Sequence, residues 1–464
     1  MTRRGAAADL AIRGGTVVTP DGRRELDVLI GGERIAALVP PDAALEGAAV
    51  IDARGCFVLP GMIDSHVHFM DPGDPRRESF PAGTAAAARQ GVTTVIEHTH
   101  QWPVNTVARL RRKREHLRGR ARVDYGLAAH VWPDRIGALG ELWRAGAAYF
   151  KAFTCNTHGV PAIEGAALLE LGRAVSALDA PCLVHCEDEL ITARNERRLR
   201  AAGRTGGVVV AQWRSREAER AAASAVADVA RATGARFVVA HASSADVLDA
   251  LAAARSAGSP VLAECCPQYL VLHESEAREQ GALRKFTPPA RIRDARDERR
   301  LWSAFNAGLI HHISSDHAPS TRRQKLAGDI WEAPFGLPGI DTTLPLMLDA
   351  ALSNRTTLER VVEAYAAAPA RAYGIAGKGR LEVGAIADVA VVDPAGVREL
   401  RDADVLSRAG WTPYAGMTVR GRVVHTLLRG APVLEDGELV DEAPRGRFVP
   451  GAGYAAGDRG AARR

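Results

Sequence analysis

His66-Val67-His68 closes a short apolar run, and on an extended strand that spacing turns both imidazoles to one face, where they can share an ion. His185 in CLVHCE, His241 in FVVAHAS and Asp316 in LIHHISSDHAP each end a comparable run. Any one of these histidines alone reads equally well as a hydrogen-bonded structural imidazole. Four of them with an aspartate, each at a strand end, point together to metal ligation. Imidazole and carboxylate suit zinc, manganese, cobalt or iron, and ligand type does not choose among these. Lys151 is the unexpected member, one of only five lysines and set inside the apolar run AAYFKAFT. Burying an ammonium is costly. A buried amine has a lowered pKa and gains nucleophilicity, so Lys151 is a candidate for covalent modification or Schiff-base chemistry, against the alternative of a side chain that snorkels to the rim.

Residues that must converge need a scaffold that brings strand ends to one mouth. From residue 59 onward, short apolar runs alternate with Ala-, Leu- and Arg-rich helical segments, the pattern of repeated βα units. The strand candidates are 59–68, 92–98, 123–131, 147–154, 182–187, 237–243, 261–270 and 309–319. Eight such units with no GxGxxG turn predict an α/β fold, a closed (β/α)₈ TIM barrel rather than an open dinucleotide-binding sheet. Both flanks read as short antiparallel strands, and each would leave an apolar face bare. They are expected to pair into one small β-sandwich. The predicted organisation is therefore 1–58 as the N-terminal part of the sandwich, 59–378 as the metal-dependent barrel, 379–450 as the C-terminal part of the sandwich, and 451–464 as a flexible tail.

The 464 residues, 47% of them hydrophobic and 25% charged, contain no apolar run of membrane-spanning length. The N-terminus breaks into charge and glycine before any signal-peptide core forms. A formal charge of +5 does not imply a nucleic-acid partner, and the basic run at 111–122 reads as a solvated helix between two strands. The six cysteines form no CxxC pair, so reduced thiols and a cytoplasmic location are expected.

The motifs PGMIDSHVH, GTAAAARQGVTT, YFKAF, LVHCED, AHASS, AECCPQYL, TPPAR, SSDHAP and KGRLEVGAIADVAVVD cover nearly the whole chain. As a set they resemble the cyclic amidohydrolases, the group containing allantoinases, hydantoinases, dihydropyrimidinases and dihydroorotases. The resemblance implies that Lys151 is N-carboxylated and bridges two divalent metal ions, with zinc the expected metal. It gives His66, His68 and Asp316 to one ion and His185 and His241 to the other. Two adjacent dications would provide hydroxide at neutral pH, and Asp316 would act as the catalytic proton carrier. Homo-oligomers, commonly tetramers, are implied as well. The different-class alternative, a non-catalytic scaffold on the same fold, is disfavoured because all six ligand positions are intact.

Departures from the family patterns bear on the substrate, a small-molecule cyclic amide. Dihydroorotases carry an arginine two residues after HxH, where this chain has Met70; Ile96 to His100 lacks the usual asparagine; and Ser320 replaces a histidine. These changes argue against dihydroorotate. Asn156 stands where hydantoinases and dihydropyrimidinases place a tyrosine, which leaves allantoinases as the nearest pattern. Even there, EHTHQ at 97–101 replaces the usual EMPLN, so His98 and His100 face either the substrate or the ligands. Met70, His100 and Thr287 are the expected substrate contacts.

Overall fold

The computed structural model describes residues 8–41, 47–441 and 443–454. Its centre is a barrel of parallel strands: β1 (Met62–Val67), β2 (Val92–Glu97), β3 (Asp124–Leu127, continued by Ala129–His130), β4 (Phe150–Phe153), β5 (Cys182–His185), β6 (Phe237–Val239), β7 (Leu262–Cys265) and β8 (His312–Ile313). The ring closes where Val67 pairs in parallel with His317 and the His68 N–H donates to the His317 carbonyl at 2.7 Å. This is the TIM barrel expected from the alternation of runs.

Strand periodicity decides what faces inward. Phe150, Ala152, Cys182, Val184, Phe237 and Val239 pack in the large core beneath the outer helices. Leu183 and Val238, one residue out of phase, join Ile63 and Ile96 in a separate core capped by Tyr149 and Tyr373. The same alternation turns Lys151 and His185 to the barrel interior. The helices are cut by local chemistry. Asp188 caps Glu189–Ala201 by accepting the Ile191 N–H, and Ser215 caps Arg216–Thr233, which stops at left-handed Gly234.

The strands are shorter in the structure than in the sequence pattern, and in three of them a local feature accounts for it. Within 261–270 only Leu262–Cys265 is extended, because Pro267 opens a helical turn over Pro267–Val271. Within 309–319 only His312–Ile313 is, since Asp316 takes a left-handed conformation at φ 46°. Within 123–131 the strand is interrupted at Ala128, where its hydrogen bonds change partner. The Ala128 N–H donates to Glu97 on β2, and the Ala129 N–H donates to Tyr149 beside β4.

The flanks form two sheets. One is made of N-terminal strands alone, and the other joins Phe57–Pro60 to Val389–Glu399 and Thr418–Leu428, with Ala390 in register with Leu59. Ile12, Val28, Ile30 and Val58 from one end share a core with Leu381, Val389, Val391 and Leu427 from the other. Strand Phe57–Pro60 runs through the boundary expected at 58/59. Of the expected tail, Gly451–Tyr454 is packed on the barrel: the Gly451 N–H donates to the Gly146 carbonyl and Tyr454 is buried. Residues 455–464 of that expectation lie outside the described residues.

Candidate metal centre

A narrow cleft opens at the C-terminal ends of the strands, and His66, His68, Lys151, His185, His241 and Asp316 all line it. Asp316 Oδ1 lies 3.1 Å from His66 Nε2 and 3.3 Å from His68 Nε2, while His185 Nδ1 and His241 Nε2 face each other at 3.0 Å. His241 and Asp316 are both held at positive φ, 38° and 46°, a conformation that costs a non-glycine residue energy and recurs at functional sites.

Buried carboxylates fix the orientation of these candidate ligands. Glu264 on β7 is fully buried and reaches several strand ends at once. Its Oε2 lies 2.9 Å from His66 Nδ1 and accepts the His241 backbone N–H at 3.1 Å, while Oε1 accepts the Ser314 hydroxyl at 2.6 Å. His66 therefore presents Nε2 to the cleft. His68 does the same, because its Nδ1 meets the His98 carbonyl at 3.1 Å. Glu187 Oε2 takes His185 Nε2 at 2.7 Å, which leaves Nδ1 for the cleft. The same oxygen accepts from Arg214 at 3.0 Å and from the Thr287 hydroxyl at 2.8 Å. Burial alone would raise the Glu187 pKa, but Arg214 and the bond from His185 hold it at about 2. A carboxylate behind a ligating imidazole sets its tautomer and raises its basicity.

Burial lowers the pKa of His66, His68 and His241 well below the ordinary imidazole value, so the rings are neutral, the form that ligates. Lys151 is 1% exposed, and among the described residues its Nζ has no hydrogen-bond partner. Burial lowers its pKa against the opposing pull of Glu264 and Asp316, while burial drives that of Asp316 up. An unpartnered ammonium cannot remain there at low cost. Neutral imidazoles whose ring nitrogens converge, a carboxylate between two of them and an amine without an acceptor make up a donor set that fits cations.

Of the expected substrate contacts, Met70, His100 and Thr287 all line the cleft. Met70 Sδ accepts the Thr99 hydroxyl at 3.1 Å, and the Thr287 hydroxyl is engaged with Glu187. His98 is buried between the rings of His66 and His68, 4.4 Å from each, and does not line the cleft. Glu187, Glu264 and Arg214 were missed in the sequence reading. The first two carry the signal used for Lys151, a charged residue set in an apolar run.

Fold and cleft together define an amidohydrolase, with candidate ligands on strand ends of one barrel and a sandwich made from both chain ends. Residues 57–433 match the Amidohydrolase family model, and the chain belongs to that metal-dependent family. It is 39% identical over 453 residues to an allantoinase of Rubrobacter xylanophilus, covering 96% of this chain and 98% of that protein. An allantoinase of Streptomyces avermitilis is 34% identical over 95% of this chain and 98% of its own length. Among solved structures, the L-hydantoinase (dihydropyrimidinase) from Arthrobacter aurescens superposes with a TM-score of 0.91 at 31% identity, covering 96% of this chain and 100% of that one.

Proposed function

We propose that the protein hydrolyses a five- or six-membered cyclic ureide or imide. In this reading His66, His68 and Asp316 hold one divalent ion, His185 and His241 hold a second, and carboxylated Lys151 bridges them, with zinc as the metal. The observation that carries it is the buried, partnerless Lys151 amine in the same cleft as the five other donors. Kept neutral by burial, that amine adds to carbon dioxide and releases one proton, which replaces a costly ammonium with a carbamate anion suited to two cations. The allantoinases and the L-hydantoinase among its relatives support the substrate class.

When bound, two adjacent dications supply Lewis acidity, lowering the pKa of water toward about 7 and polarising the ring carbonyl. Asp316 takes a proton from the attacking water and returns it to the ring nitrogen, so that a C–O bond forms as the C–N bond breaks. Glu264 and Glu187 hold His66 and His185 in their ligating tautomers. Met70, Phe153 and Phe335 give the cleft an apolar wall that limits bulk water. We also carry forward the tetramer, to be measured by light scattering, and a cytoplasmic location, which the six free cysteines support.

The test is a panel of allantoin, hydantoin and dihydrouracil offered to protein loaded with zinc or manganese in bicarbonate. At least one ring should open with kcat/KM of about 10⁴ M⁻¹s⁻¹ or more. Protein that binds no metal and opens no ring would overturn the reading.

A further inference from the structure

Arg77 is the one charged side chain among the described residues of the cleft wall once the six candidate ligands are set aside. Its surroundings do not account for its charge. Its Nε donates to the Pro319 carbonyl at 3.0 Å, a neutral acceptor that fixes the plane of the guanidinium. Among the described residues no carboxylate pairs with it: Glu78, next to it in sequence, is bonded to His317 and Ser407, and Asp74 is bonded to Arg76 at 3.0 Å. Partial burial, opposed by the pull of Asp74, brings its pKa down to about 10, so Arg77 remains a cation at neutral pH with no carboxylate paired to it.

A guanidinium fixed through Nε keeps its two terminal amino groups for a planar partner, and a carboxylate matches that fork. Pro319 lies three residues after Asp316, so the chain segment that anchors Arg77 is the one that carries the proposed proton carrier. We propose that Arg77 is an anion subsite of the substrate cleft, and that the preferred ring amide carries a carboxylate substituent which this arginine clamps. The inference rests on the proposed ring hydrolysis and narrows its substrate class. It also revises the expectation against dihydroorotate. That expectation looked for the cation at position 70, whereas the loop after β1 brings one into the cleft from position 77.

The experiment compares matched rings, hydantoin-5-acetate with 5-methylhydantoin and dihydroorotate with dihydrouracil, on zinc-loaded wild type, Arg77→Met and Arg77→Lys. The readout is the kcat/KM ratio of the carboxylated to the neutral ring within each pair. Wild type should favour the carboxylated member by about tenfold or more, Arg77→Met should collapse that ratio by about 10–100-fold, and Arg77→Lys should fall between them. A wild-type ratio near one, or a ratio that Arg77→Met leaves unmoved, overturns the assignment. If no ring opens, the hydrolytic reading has failed, and calorimetric binding of the same pairs decides the subsite. A carboxylate preference lost in Arg77→Met upholds it, and equal affinities overturn it.

Discussion

Lys151 concentrates the chemistry of the site in one side chain. Its placement follows from strand alternation, which turns Phe150 and Ala152 outward and the lysine inward, where nothing among the described residues accepts its protons. If carboxylation relieves that burial, Lys151→Ala should lose the bridge, at least tenfold of its metal affinity and nearly all activity, since ligand-shell losses cost about 10–100-fold. Acetate or propionate supplied in solution should restore part of both. Metal analysis and ring-opening assays check this, and undiminished metal content with full activity would sink the bridging role. The candidate ligands stood out because a histidine, lysine or aspartate set in or at the end of an apolar run has no packing reason to be there, and the structure brings all six to one cleft. Glu187 and Glu264 carried the same signal but were not picked out as positioning groups. Arg77 was not legible, because only the folded loop after β1 shows that it points into the cleft rather than into water.

The helix over Val107–Leu117 shows the same contrast at the level of an element. It holds the first part of the basic run at 111–122 that reads as solvated, and most of its residues are exposed. Yet Leu110, Lys113 and Leu117 share one buried stripe at helical spacing, and Lys113 forms an ion pair with Glu97 at the end of β2, both fully buried. Helical periodicity could have placed Lys113 inside; charge counting hid it. Glu97 also accepts the Thr99 N–H at 2.8 Å, so the pair anchors the turn that carries His98 and His100. Lys113→Met leaves a buried carboxylate without its cation and should cost about 3–5 kcal/mol in urea denaturation, whereas pairing it with Glu97→Leu should recover much of that loss. A loss under about 1 kcal/mol in the single variant would show that the pair is not a stability determinant. The break in β3 at Ala128 was invisible in sequence for a different reason: the handover of hydrogen bonds from β2 to β4 depends on barrel stagger, which no local pattern encodes.

For the molecule as a whole, the shared sandwich was readable because each flank had an apolar face with no local partner, but what locks it to the barrel was not. Lys378 follows the last barrel helices and is buried against Asp124 of β3 at 2.8 Å and against Asp388, which precedes the sandwich strand Val389–Glu399. Arg429, from the far end of the sandwich, forms an ion pair with Asp124 and donates its backbone N–H to Asp388 at 2.8 Å. The Arg447 N–H, from the C-terminal segment, adds a bond to Asp124 at 2.8 Å. One buried carboxylate thus joins barrel, sandwich and C-terminal segment. Burial would raise the Asp124 pKa, but Lys378 and Arg429 together hold it below the ordinary carboxylate value. A depressed pKa adds stability that is present above the unfolded-state value near pH 4 and is lost as pH falls through the folded value. At pH 7, Lys378→Met should lower the unfolding free energy by about 3–5 kcal/mol, since it leaves Asp124 and Asp388 short of a cation. Below about pH 4 the gap between wild type and variant should narrow, because protonating Asp124 removes the advantage that only the wild type holds in full. Urea midpoints measured from pH 7 down to pH 3 decide the matter. A gap that stays constant over that range would mean that the lysine acts through packing of its chain and not through the charge of Asp124.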